Sequence, residues 1–177
     1  MVFNLIYFET KRLIARDYLQ YDYIPFAELN ADLDVMKHFP NALTTKESNA
    51  LLDRNQQELA LLGYGLFAIE EKSSGDFIGF TGFHETNFEA DFTPCLEIGW
   101  RLKKSVWNQG YATEAALGCI DFAQTHTTIE EIYSFTAQLN QPSEQVMKKI
   151  NFFKIAYFDH PALPANHPLK PHVLYKL

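Results

Sequence analysis

The residues best placed to do chemistry are Asn108-Gln109-Gly110, a polar turn that ends in glycine and runs straight into a helical stretch. Within residues 106–123, Ala112, Ala115, Ala116, Cys119, Ile120 and Ala123 recur at the spacings that share one helix face. They are mostly small, so this helix can lie close to whatever is beneath it, by expectation a sheet. The first amides of a helix have no intrahelical partners, and the helix dipole favours negative charge beside them. A strand, a glycine turn and a tightly packed helix together predict a phosphate or pyrophosphate site. The backbone amides of Gln109, Gly110, Tyr111, Ala112 and Thr113 would form it.

The strand in that device is residues 96–102, LEIGWRL, with Leu96, Ile98, Trp100 and Leu102 on one face and Glu97 on the other. Upstream, residues 10–17 read as a first strand, and the aromatic-rich segment 22–39 as two short helical pieces. Thr44 and Glu47 have capping-box spacing and open a helix to about Leu62, stopped by Gly63-Tyr64-Gly65. Residues 66–70 and 77–84 form an antiparallel hairpin around the turn 72–76. Downstream lie a strand at 132–138 and a helix opened by Asn140-Gln141-Pro142-Ser143, with Pro142 suited to its first position. That helix ends at Asn151, a residue that tolerates a left-handed cap. Strands at 152–158 and 173–177 follow. Between them, residues 159–172 carry four prolines and three histidines and read as a long, stiff surface loop.

At 177 residues the chain suits one domain spanning 1–177, long enough to bury about 70% of its unfolded surface. Its 47% hydrophobic and 15% aromatic residues suit a packed globule rather than a disordered segment. No apolar run approaches a membrane span, and MVFNLIYFET has no basic leader region, so neither membrane nor secretory pathway is expected. Cys95 and Cys119 have no pairing or metal-ligand spacing, which fits a reducing cytoplasm. A net charge of −7 argues against nucleic acid as a partner and is compatible with an amine-bearing one. There is no Walker A sequence, no GxSxG elbow and no HExxH. The histidines at 160, 167 and 172 have no regular ligand spacing, so no metal is expected.

Trp107-Asn108-Gln109-Gly110-Tyr111-Ala112, followed by Thr113-Glu114-Ala115, resembles the acetyl-CoA pyrophosphate loop of the GNAT N-acetyltransferases. Gly110 and Ala112 match the last fixed positions of the pattern Gln/Arg-x-x-Gly-x-Gly/Ala; Trp107 replaces its Gln or Arg, and Asn108 a frequent glycine. Trp107, LEIGWRL and the opening Glu-Thr-x-Arg-Leu-x-x-Arg are similar to the RimJ/RimL-like branch. The resemblance covers residues 10–177 and implies an α+β GNAT (acyl-CoA N-acyltransferase) fold. Its sheet is mixed and mostly antiparallel, six- to seven-stranded, with helices on both faces and a splay between the fourth and fifth strands. In such a splay the backbone at Ile98, Trp100 and Leu102 would hold the pantetheine arm, and Asn140 would contact CoA. Segment 22–39 would wall the acceptor pocket.

The implied reaction moves acetyl from acetyl-CoA to a primary amine, of a protein N-terminus or a small molecule, by direct attack in a ternary complex. Neutralising a lysine-like amine at pH 7 costs about 4.6 kcal/mol, an α-amine only about 1. Alkyl amines therefore need a general base. Glu97 is the first candidate, read equally as base or as structural carboxylate; His84 is the second. Met147 stands where many relatives carry an acidic Tyr, and Ser143 matches the Asn-x-x-Ser serine proposed to protonate the thiolate, although it is also a cap position. Two rivals stay open, a non-catalytic acyl-CoA-binding regulatory module and an ATP or NAD binder. Homodimers are common among such proteins.

Overall fold

The computed structural model describes residues 5–177; the expectation about a leader at the extreme N-terminus falls partly outside these. The sheet begins with two short strands, β1 (Ile6–Glu9) and β2 (Leu13–Arg16). A 3-10 turn at Gln20–Asp22 leads into α1 (Tyr23–Ala31), and α2 follows at Thr45–Leu62. Next come β3 (Leu66–Glu71), β4 (Phe77–Thr86) and β5 (Cys95–Leu102). Helix α3 (Tyr111–His126) leads to β6 (Tyr133–Ala137), and α4 (Gln141–Lys149) to β7 (Phe153–Asp159) and β8 (Pro171–Lys176).

The strands form one sheet in the order β1-β2-β3-β4-β5-β6-β8-β7. Neighbours are antiparallel except β5 and β6, which run parallel. Parallel neighbours need a long crossover, and α3 supplies it. Helices cover both faces. Phe80 of β4 stacks on Phe26 of α1 with ring centroids 5.3 Å apart, whereas the next residue, Thr81, meets Cys119 of α3. Successive strand residues point to opposite sides, so α1 and α2 lie on one face and α3 on the other. Being covered twice, β3 and β4 show continuous buried runs in place of alternation.

Local chemistry explains most element ends. Thr44 accepts from the Glu47 amide at 3.3 Å, the Glu47 carboxylate accepts from the Thr44 amide at 2.8 Å, and Gly63 closes α2 at φ 74°. Asn151 caps the segment after α4 at φ 63°, the left-handed geometry expected of it. The inner face of α3 is as small as its sequence implied: Ala115, Ala116, Cys119 and Ala123 are wholly buried.

Several expectations need correction. The sheet has eight strands, not six or seven, because residues 6–9 pair with β2 as an edge. The helix itself starts where expected, at Tyr111 directly after the Gly110 turn, but Lys104–Val106 adds a 3-10 turn that the sequence did not suggest. Segment 22–39 holds a single α-helix; the Asp32 carboxylate accepts from the amides of Asp34 at 2.8 Å and Val35 at 3.3 Å, which turns the chain instead. The loop 160–170 is no plain surface loop: Leu169 is buried, and the His160 amide donates back to the Lys170 carbonyl at 2.9 Å.

Candidate active site

β5 and β6 touch at one register pair, Glu97 with Tyr133, and then diverge. Between them opens a cleft of about 1440 Å³. An ordinary single-ligand site occupies roughly 300–1,000 Å³, so there is room for two reactants. Its walls differ by face. On the α3 side stand Trp107, Asn108 and Gly110 to Thr113, with Asn140 to Ser143 at the start of α4. On the α1–α2 side stand Phe39, Arg54, Glu58, His84, Glu97 and Arg101.

The turn before α3 holds two left-handed residues, Asn108 at φ 60° and Gly110 at φ 81°. Glycine adopts that conformation freely and asparagine readily, which explains why Asn serves at position 108. Trp107 clamps the turn to the end of β5 by donating its indole N–H to the Leu102 carbonyl at 2.9 Å. From the other side Arg12 donates to the Gln109 carbonyl at 2.9 Å and to Glu114 at 2.6 Å, and its guanidinium lies 4.0 Å over the Tyr111 ring. Burial pushes the Glu114 carboxyl up, but hydrogen bonds from Thr10 and Arg12 outweigh it and hold the group below its usual range. Arg12 was read only as a strand residue. Its partners lie about a hundred positions away, and no local pattern points to them.

All the expected site residues line the cleft except Gln109, whose side-chain amide reaches the Ser105 carbonyl at 3.1 Å. The Tyr111 hydroxyl is held by Glu71, so that residue faces the cleft with its backbone rather than its ring tip. At two of the three backbone positions expected along β5 the carbonyl is already engaged: Ile98 accepts from the Ser134 hydroxyl at 3.0 Å, and Leu102 from Trp107. Asn140 is also committed, accepting from the Ser143 amide at 3.4 Å as the α4 cap and donating to Thr136 at 2.9 Å. The Ser143 oxygen accepts the Trp100 indole N–H at 3.2 Å across the splay, leaving the hydroxyl proton unclaimed.

On the other face, Glu97 and His84 sit opposite each other in the β4–β5 ladder. His84 Nε2 lies 3.2 Å from Glu97 Oε2, the same oxygen that accepts from Thr86 at 3.0 Å. Burial pulls the His84 pKa down, but the hydrogen bond and charge of Glu97, with the charge of Glu58, raise it above the ordinary histidine value. His160 and His172 also line the cleft, their rings 5.0 Å apart; burial lowers the pKa of both. Among the described residues, no three His, Cys, Asp or Glu side chains gather as metal ligands. Of the aromatics in 18–39, Phe39 reaches the cleft, whereas Tyr18 and Phe26 are core and Tyr21 faces solvent. Cys119 is wholly buried, and burial pushes its thiol far up.

A splayed parallel pair with a left-handed glycine turn opening the crossover helix at its end is the architecture of an acyl-CoA transferase. The comparisons agree. The family described as acetyltransferase (GNAT) domain matches residues 12–152, and the chain belongs to that family. A relative from Bacillus subtilis, the uncharacterized N-acetyltransferase YnaD, is 28% identical over 150 residues, 84% of either chain. The crystal structure of a GNAT-family acetyltransferase from Bacillus anthracis superposes with a TM-score of 0.78 at 24% identity, covering 96% of both chains. RimL, a ribosomal-protein α-N-acetyltransferase solved in complex with coenzyme A, gives 0.78 at 16% identity over 98% of this chain and 97% of its own. The chain is an N-acetyltransferase. Among the described residues no helix is long and apolar enough to cross a membrane.

Proposed function

We propose that the chain, acting as one cytoplasmic domain of the RimJ/RimL-like branch, transfers acetyl from acetyl-CoA to a primary amine by direct attack in a ternary complex. The observation that carries this is the splay of β5 from β6 ending at the left-handed Gly110 turn. Amides of Gly110 to Thr113 bind the pyrophosphate; Gln109 contributes its backbone while its side chain holds the turn closed. The pantetheine arm lies along β5 at Ile98, Trp100 and Leu102, past Asn140.

The amine enters from the α1–α2 face. Glu97 Oε1, which accepts no hydrogen bond among the described residues, takes its proton directly or through water. The amine nitrogen forms a bond to the thioester carbon, the C–S bond breaks, and the thiolate takes the Ser143 proton as solvent water returns one to the Ser143 oxygen. The Trp100 indole bond orients that hydroxyl as a donor.

The test is calorimetric titration with acetyl-CoA of the wild type, Gly110→Asn and Gly110→Asp. Both substitutions tolerate a left-handed backbone and differ in charge. Gly110→Asp should weaken acetyl-CoA at least ten-fold more than Gly110→Asn. Absence of binding to the wild type at millimolar acetyl-CoA sinks the reading.

A further inference from the structure

Two strand arginines are treated differently. Arg16, 1% exposed, is neutralised twice over, by Asp22 at 2.6 and 3.1 Å and by Glu70 at 2.6 Å. Arg101 has no such partner. Its Nη1 donates to Asn30 Oδ1 at 2.6 Å; Asn30 donates to Ser48 at 2.9 Å, and Ser48 to the Phe26 carbonyl at 3.4 Å. Every group in that relay is neutral. The guanidinium lies 4.2 Å from the Phe39 ring centroid and 5.1 Å from that of Phe80, and its Nε is buried with no hydrogen-bond partner. Among the described residues no carboxylate pairs with it, and burial pulls its pKa down to about 10, so it stays charged at neutral pH.

A half-buried cation with an unpartnered, buried Nε and no counter-charge is costly to keep, and this one opens into the cleft. Its place along β5 matters. Glu97, Gly99 and Arg101 project to the same face, the α1–α2 side. A Cβ built at Gly99 would meet nothing within 4 Å. A carboxylate and an uncompensated cation therefore flank an empty stretch of strand, with backbone origins about 13 Å apart.

We propose that the amine acceptor also carries a carboxylate, which pairs with Arg101 while the vacancy over Gly99 admits the chain between it and the amine at Glu97. This rests on the N-acetyltransferase reading above. Lysine and ornithine fit the chemistry; cadaverine and putrescine, the same amines without the carboxylate, do not.

The test is calorimetric titration of CoA-saturated protein with those matched pairs, for the wild type, Arg101→Met and Gly99→Val. In the wild type the amino acid of a pair should bind at least ten-fold more tightly than its decarboxylated partner. Arg101→Met should reduce that preference ten-fold or more. Gly99→Val, which leaves the guanidinium in place and extends a side chain into the open space, should weaken the amino acids independently. Three results overturn the proposal: neither amino acid binding, the decarboxylated partner binding equally well or better, or Arg101→Met retaining the preference. If Arg101→Met instead weakens acetyl-CoA, the guanidinium serves a CoA phosphate and the proposal falls. Failure of the wild type to bind acetyl-CoA would defeat the parent reading, a result distinct from all of these.

Discussion

Glu97 receives both Thr86 and His84 through one oxygen. Below the raised His84 pKa an imidazolium is ion-paired to that carboxylate; above it the pair is released and the carboxylate is free to meet the amine. Measured kcat/KM should therefore climb with pH through a value above the usual ~6.5, and His84→Gln should remove that limb. A raised folded-state pKa also stabilises the fold most at pH values below ~6.5, and this contribution disappears as pH rises through the raised value. Denaturant titrations of wild type and His84→Gln should then differ most at pH values below ~6.5 and converge once pH exceeds the raised His84 value. Glu97→Gln should cost about 10²–10⁴ in kcat on an alkyl amine with acetyl-CoA affinity retained. Unchanged turnover in both Glu97→Gln and Ser143→Ala removes both catalytic assignments. The candidate base was legible from its strand position. Its pairing with His84 was not, because cross-strand register depends on how the intervening residues 85–96 fold.

At the scale of elements, α3 carries the most constraint. A Cβ at Gly118 would collide with the Phe8 ring of β1 and crowd Thr10, so glycine there is a packing requirement. Gly118→Val should lower unfolding free energy by about 1–3 kcal/mol in urea titration. The α3 stripe announced itself through its alanines. By contrast β1 has the sequence IYFE, too short and too weakly alternating to read as a strand, and it exists because β2 offers it an open edge. The polar turn was legible for a local reason: position 110 needs a left-handed backbone and position 108 tolerates one. Arg12, which buttresses that turn from β2, carries no local mark of the task.

For the molecule as a whole, the cleft is the place where the sheet fails to close. Ligand binding there should protect amides selectively. Hydrogen exchange with saturating acetyl-CoA should slow at 98–102 and 107–113 and leave β7, an exposed edge strand, unchanged. Binding at a hundred times Kd should also add about 2.7 kcal/mol to stability.

What the residues alone determined is what short-range physics controls. Helix periodicity, the capping box at Thr44, the left-handed cap at Asn151 and the left-handed glycine turn ahead of α3 each follow from a few neighbouring residues, and each is present. Only the tertiary structure decided which charges are paired. Arg16 and Arg101 are both arginines on strands; Asp17 and Asp22 follow the first closely and Lys103 and Lys104 the second, but the sequence does not say which of these charges reach either guanidinium. Folding brings Asp22 and Glu70 to the first and only neutral groups to the second. The reason is that electrostatic neutralisation depends on distance in space across a low-dielectric interior, and that distance is set by sheet order and helix packing rather than by sequence separation.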